Sequence, residues 1–341
     1  MQNVYSKITI GPSIQFTMAC GTEANDDLSR TLAAGNYPWG PESVLMDCLF
    51  QPGARILDLG AHLGMVSLFA AAKGCQVLAV EASPRNAELL QESASCNGFA
   101  RMRVIHAAVS DRTGVLEFCS QGPHGFVATP QVNLPGVKVR ALTVDQILGE
   151  AGWDNADFIK MDIEGSEVAA LGGMQELLKK DHAPPILYES NTYTLSFYKK
   201  TANQLKAALK RFGYKNHTVE PGKLIRVAAS DFQPQVITDY FAFKKKPTPL
   251  RDWEIRPPIG RENIIRQILE SCSMEDHKAH IARDLFVAPR WVLTRSEVKA
   301  SLTALRHDPR IDVREAAAWS QSSRWTAYMP MQIRRWLKRS A

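Results

Sequence analysis

Apolar and polar positions change rhythm several times along this 341-residue chain. Residues 4–18 alternate around Gly11-Pro12, which predicts a short hairpin. Helical spacing follows over 26–35 and again over 42–50, with the loop Asn36-Tyr37-Pro38-Trp39-Gly40 between them. A short apolar run, Ala54 to Leu59, is bounded by Pro52-Gly53 and reads as a buried strand. From there strands at 76–81, 102–108, 114–119, 137–142, 156–161, 184–189, 214–219 and 236–244 are interleaved with helices at 63–73, 84–97, 144–148, 166–180 and 201–212.

Strand and helix alternating in one direction predict a doubly wound α/β domain over residues 1–246. Four prolines then mark residues 247–260 as a semi-rigid linker. Beyond it the spacing is helical, over about 261–273, 275–287, 294–306, 309–319 and 330–339, so residues 261–341 read as an α-helical extension. Thr294-Arg295-Ser296-Glu297 has the pattern of a capping box. In the last helix Ile333, Trp336 and Leu337 share one face, with basic residues around the rest.

Charge sharpens this division. Residues 278–341 carry 13 Lys/Arg against 5 Asp/Glu, so the net charge of +6 belongs to the tail and the front is slightly acidic. Five of the seven tryptophans also lie beyond residue 250. Such a tail is expected to dock on its own helices or on a second copy in a homodimer, with contact at a membrane surface the alternative. No motif announces a specific nucleic-acid partner. The six cysteines are scattered without metal spacing, no apolar run spans a bilayer, and no signal peptide is read, so a cytoplasmic location is expected.

The candidate chemistry gathers at strand ends. After the Ala54–Leu59 strand comes Asp58-Leu59-Gly60-Ala61-His62-Leu63-Gly64, where Gly60 permits a tight reversal and a close ligand approach. A dinucleotide fingerprint beginning at Gly60 needs glycines at positions 62 and 65, which hold His62 and Met65. Asp58 there repels a pyrophosphate but suits a ligand with positive charge. Glu81 ends the next strand 21 residues after Gly60, placed to accept both hydroxyls of a ribose. Asp162 and Glu189 end two later strands, so four acids collect on one sheet edge.

Asp58-x-Gly60-x-x-x-Gly64, Glu81-Ala82-Ser83-Pro84, Ala108-Val109-Ser110-Asp111 and Lys160-Met161-Asp162-Ile163-Glu164-Gly165-Ser166-Glu167 together resemble the FkbM-type methyltransferases that use S-adenosylmethionine. The last run is the most specific, and the resemblance spans about residues 30–245. It implies a Rossmann-like class I methyltransferase sheet, seven-stranded and mostly parallel, and methyl transfer to a hydroxyl of a small-molecule or glycan acceptor. It also implies that Asp58, Gly60, Ala61, His62 and Gly64 cradle the methionine end, that Glu81 with Ala82 holds the ribose, and that Ala108 and Val109 flank the adenine. Tyr37 is a candidate cover for the cofactor, and Asp162 faces it too.

Asp162, Glu164 and Glu189 are the candidate catalytic bases, with Asp162 preferred; Glu167 is expected to cap the next helix. His62 stands where many members have Asn and is a second, weaker candidate base. Three clustered carboxylates also have the oxygen chemistry of a Mg²⁺ site, though the site is read here without a metal. Two other classes share features: an NAD(P)-dependent oxidoreductase has the strand-end acid but lacks its glycines here, and a binding module would use the tail to recruit an acidic partner.

Overall fold

The computed structural model describes residues 3–10, 13–21, 30–32, 34, 40–120, 125–129, 135–228, 231, 237–275, 277–285, 288 and 290–319. Strands β1 (Val4–Ile10) and β2 (Ile14–Cys20) form the expected hairpin. It lies against the helix Pro84–Cys96: the Thr17 amide donates to Asn97 Oδ1, and the Ala19 amide to Ser93 Oγ. Gly11-Pro12 and most of the 26–35 helix fall outside the described residues, as do Tyr37 and Trp39.

Strands β3 (Arg55–Leu59), β4 (Gln76–Glu81) and β5 (Met102–His106) are parallel neighbours. The chain then builds a small separate sheet from β6 (Ala108–Val109), β7 (Gly114–Cys119), β8 (Phe126–Val127) and β9 (Val137–Leu142), in the order β6-β9-β7-β8. The expected strand 102–108 thus stops at His106, and Ala108 opens the small sheet.

The main sheet resumes with β10 (Phe158–Met161), β11 (Ile186–Asn191), β12 (Lys215–Glu220), β13 (Lys223–Val227), β14 (Ile237–Phe243) and β15 (Glu254–Arg256). Its order is β15-β13-β12-β14-β11-β10-β3-β4-β5. Nine strands stand where seven were expected. β13 and β15 extend the far edge, and β15 comes from the supposed linker: the segment begins with a 3₁₀ turn, Thr248–Leu250, and its strand pairs in parallel with β13.

Alternate residues of each strand serve opposite layers. Ile56, Val77, Phe158 and Phe241 face one core, shared with the hairpin and the helices Pro41–Leu49, Met65–Ala72 and Pro84–Cys96. Leu57, Leu78, Ile159 and Tyr240 face the other, shared with the helices Val144–Ala151 and Ala202–Arg211. The chain leaves β3 toward β4 and β5, then returns through β10 on the opposite side of β3. That reversal opens a crevice outside the carboxyl ends of β3 and β10, where open α/β sheets bind ligands.

The expected helix over 166–180 is broken into Glu167–Gly172 and Gln175–Lys179. A Cβ at Gly173 would come within 2.1 Å of the Ser110 carbonyl, so the chain turns where the two segments press together.

Residues beyond 260 form the helices Arg261–Ser273, Lys278–Asp284, Arg290–Leu293, Ser296–Leu305 and Ile311–Trp319 around a core of their own, including Ile268, Val292, Val298 and Val313. The capping box at Thr294 is not formed. Arg295 is the N-cap residue without a side-chain cap, and the Ser296 hydroxyl instead donates to Glu297. The basic helix over 330–339 lies outside the described residues. Among the described residues no helix is long and apolar enough to cross a membrane.

Candidate active site

The loop after β3 fixes the floor of the pocket. The amides of Gly60 and Ala61 both donate to the Val80 carbonyl, at 2.9 and 3.0 Å, which folds the loop over β4. Gly60 has φ +80°, and a Cβ there would lie 1.8 Å from the Asp162 carbonyl oxygen. Only glycine lets the β3 and β10 loops approach so closely. His62 also has positive φ (51°), and its amide donates to Glu81 Oε2 at 2.8 Å. The Ser83 amide donates to the other oxygen, Oε1, at 2.7 Å. Glu81 is buried, and burial raises its pKa against the pull of those two amides.

Gly60, His62, Glu81, Ala82, Ala108, Val109, Asp162, Glu164 and Glu189 all line one pocket. Asp58, Ala61 and Gly64 do not; they stand behind its wall. Asp58 is 1% exposed. Its Oδ2 accepts from the Ser67 hydroxyl at 2.6 Å, while Oδ1 is buried without a hydrogen-bond partner. Burial raises its pKa, opposed by Lys160. Gly64, with φ +90°, caps the helix Met65–Ala72 where a Cβ would meet Leu90 at 2.0 Å, so its role is packing.

On the other side of the crevice, Lys160 sits opposite Asp58 in the β3–β10 register. Its ammonium donates to Asp162 Oδ2 at 2.8 Å. Burial works to lower the lysine's pKa, but Asp162 and Asp58 outweigh it and the ammonium is held charged. The sequence motif contained this lysine without revealing its purpose, which is to balance the acids around it. One oxygen each of Asp162, Glu164 and Glu189 lie within 4.8 Å of one another, a spacing that a hard cation could also bridge.

Glu164 has positive φ (49°) and accepts from Asn191 Nδ2 at 3.3 Å. Glu189 lies directly across from Asp239 in the antiparallel β11–β14 pair. Burial, then Asp162, Glu164 and Asp239, push Glu189 well above the usual carboxylate range. Burial also lifts Asp239, to about 7. Asp239 had no signal in the sequence, because only the register of β14 brings it beside Glu189.

Glu167 holds the loop before its helix rather than capping the helix itself. Its Oε1 accepts from the amides of Ile163 and Gly165, at 3.2 and 3.1 Å, and burial pushes its pKa up to about 8. The sequence missed Ser83, Asn86, Phe118 and Ser166 in the pocket wall, and Gly125 and Val127 line it from the β8 segment.

A doubly wound sheet in which β13, β14 and β15 run against the other strands, and a pocket where the β3, β4, β10 and β11 ends meet, give a Rossmann-like fold of the class I methyltransferase kind. Residues 58–215 match the family model for the methyltransferase FkbM domain. That stretch, just under half of the chain, is therefore similar to the FkbM-type methyltransferase domain.

Among curated proteins it is similar to the 2-O-methyltransferase NoeI of Sinorhizobium fredii, with 27% identity over 156 residues, 40% of this chain and 63% of that protein. It is also similar to the 23S rRNA (uracil(1939)-C(5))-methyltransferase RlmD of a Shewanella species, with 31% identity over 98 residues. That match covers 29% of this chain and 20% of the relative, so the chain spans less than two thirds of either protein. Among solved structures, a SAM-dependent methyltransferase from Agrobacterium tumefaciens aligns over 72% of both chains with a TM-score of 0.37 and 12% identity. A likeness that distant carries no weight here beside the strand order itself.

Proposed function

We propose that this protein transfers a methyl group from S-adenosylmethionine to a hydroxyl oxygen of a small polar or glycan acceptor. The observation that carries the reading is the half-satisfied carboxylate of Glu81, held by two backbone amides at the end of β4 within the pocket of Asp162, Glu164 and Glu189. A carboxylate offers about four acceptor sites. Two are taken, and the other two match the paired hydroxyls of a ribose. Ala82, Ala108, Val109, Phe118 and Val127 supply apolar surface for an adenine, and the acids at the β10 and β11 ends favour the cationic end of the cofactor.

S-adenosylmethionine supplies the electrophilic methyl on a good leaving group. The chain's own task is then to align the acceptor and remove its proton. Glu189 is the better base of the three candidates. Burial and the acids around it raise its affinity for a proton, whereas an oxygen of Asp162 is already occupied by the Lys160 ammonium. Oxygen as the acceptor atom accords with the 2-O-methyltransferase among its relatives.

Calorimetry on the full chain tests the reading. S-adenosylhomocysteine is expected to bind and NAD not to bind. Glu81→Ala should weaken binding at least tenfold, since each hydrogen bond to a charged group is worth about 1.5–3 kcal/mol. Undiminished affinity in the folded variant refutes the ribose assignment, and NAD binding in place of S-adenosylhomocysteine refutes the class of activity. Transfer of labelled methyl from S-adenosylmethionine to a panel of sugars and polyols then tests the acceptor atom.

A further inference from the structure

The short helix Thr192–Phe197 follows β11 directly and leads into Tyr198, where it meets the small sheet. Tyr198 donates its hydroxyl to the Val127 carbonyl at 2.8 Å. Ser166 of the acid loop stands beside the same tyrosine. The ring rests on that loop's backbone: a Cβ at Gly165 would come within 2.6 Å of Tyr198 Cε2. Beside it, Phe197 packs its ring on Phe126, with centroids 5.0 Å apart. Val127 and Ser166 both line the pocket.

Among the described residues, the strand paired with β8 is β7. The two pair at two positions, Phe118↔Val127 and Cys119↔Phe126, and the Ala128 amide donates to the Glu117 carbonyl just beyond. A two-residue strand on the edge of a four-stranded sheet holds poorly by pairing alone. Its inner face nevertheless forms a wall of the pocket. The same sheet begins at Ala108–Val109, which line the pocket from the opposite end of the sheet order. Tyr198 thus bridges the two sides of the pocket, its ring against the acid loop at Gly165 and its hydroxyl on the roof at Val127.

We propose that Tyr198 is a positioning residue that latches the β8 roof over the bound nucleoside and so sets how slowly ligand leaves. The proposal rests on the S-adenosylmethionine reading of the pocket. The test compares S-adenosylhomocysteine dissociation, by stopped flow, with amide hydrogen exchange over residues 125–128, in the full chain and in Tyr198→Phe. Phenylalanine keeps the ring on Gly165 and removes only the hydroxyl. Loss of one net hydrogen bond is expected to speed dissociation about three- to tenfold, with the association rate changed less than twofold and faster exchange over 125–128.

A purely structural tyrosine would lower the melting temperature and leave dissociation unchanged, and that result overturns the proposal. So does faster dissociation with unaltered exchange over 125–128. If Tyr198→Phe folds poorly, the same two measurements on Phe126→Leu, which weakens the other anchor of β8, decide the matter by the same criteria. Failure of the wild-type chain to bind S-adenosylhomocysteine at all would instead count against the reading of the pocket, so the two failures are distinguishable.

Discussion

Glu189 and Asp239 face each other across β11 and β14 with Asp162 and Glu164 close by, and a single ammonium, Lys160, serves the group. Burial and the like charges around them make Glu189 and Asp239 hold a proton more tightly than ordinary carboxylates. The raised pKa of Glu189 has a sign that kinetics can read. The base works when ionised, so activity should rise with pH through an apparent pKa well above the usual 4.5 for a glutamate. Asp239→Asn removes one of the repelling charges and should move that limb to lower pH. Glu189→Gln should remove the base and cost about 10²–10⁴ in kcat, leaving S-adenosylhomocysteine affinity within a few-fold. A pH profile unmoved by Asp239→Asn would mean that another group carries the limb. The strand-end acids were legible in the sequence because each follows an apolar run. The meaning of Lys160 and Asp239 was not, because it depends on which strands become neighbours, and local pattern does not encode that.

At the scale of elements, β3, β4, β10 and β11 could be read from sequence because each is an apolar run closed by an acid. β15 and the helix Thr192–Phe197 were missed because they are short, and β13 because charged residues interrupt its apolar ones in Lys223–Val227. Their place is given by β12, which pairs with both β13 and β14. That strand carries an unusual burden in His217, which is 0% exposed. Its ring stacks on Phe243 at 4.5 Å and its Nδ1 lies 3.2 Å from the Phe241 carbonyl. A carbonyl partner requires Nδ1 to carry the proton, which leaves Nε2 bare and buried without a partner. Burial depresses the pKa to about 4. The unfolded chain takes up this proton near the ordinary value of about 6.5, before the folded chain does. Stability contributed by neutral His217 is therefore present above about pH 6.5 and lost as pH falls toward 4. His217→Asn keeps a donor for the Phe241 carbonyl and does not titrate. Urea unfolding at pH 7 and pH 4.5 should show the wild type losing on the order of 2 kcal/mol more than the variant between those values. Equal losses in the two proteins would show that the histidine is not the titrating group.

The whole molecule has its cores in two places, and the boundary between them is not where the prolines suggested. Leu250, fully buried, belongs to the core on the hairpin side of the main sheet, and Trp253 and Ile255 pack against it. Among the described residues, the core of the tail helices draws on residues from 259 to 317. The structural edge of the methyltransferase domain thus falls after β15 rather than before the 3₁₀ turn. A chain ending at Pro258 keeps Leu250, Trp253 and the β13–β15 pairing, whereas one ending at Lys246 loses all three. Removing a buried leucine side chain alone commonly costs about 2–5 kcal/mol. The shorter chain should therefore unfold at markedly lower urea, while the chain ending at Pro258 should match the full protein in S-adenosylhomocysteine affinity within about twofold. The pocket's described lining residues all lie between Gly60 and Glu189, which is why the tail is not needed for that affinity. Sedimentation of the full and the 258-residue chains tests what the tail is expected to do: a dimer lost with the tail assigns it to association, and a monomer in both with acceptor turnover lost assigns it to capture. If the chain ending at Lys246 proves as stable as the one ending at Pro258, then β15 and Leu250 are decoration on the sheet edge, and the domain ends where the prolines begin.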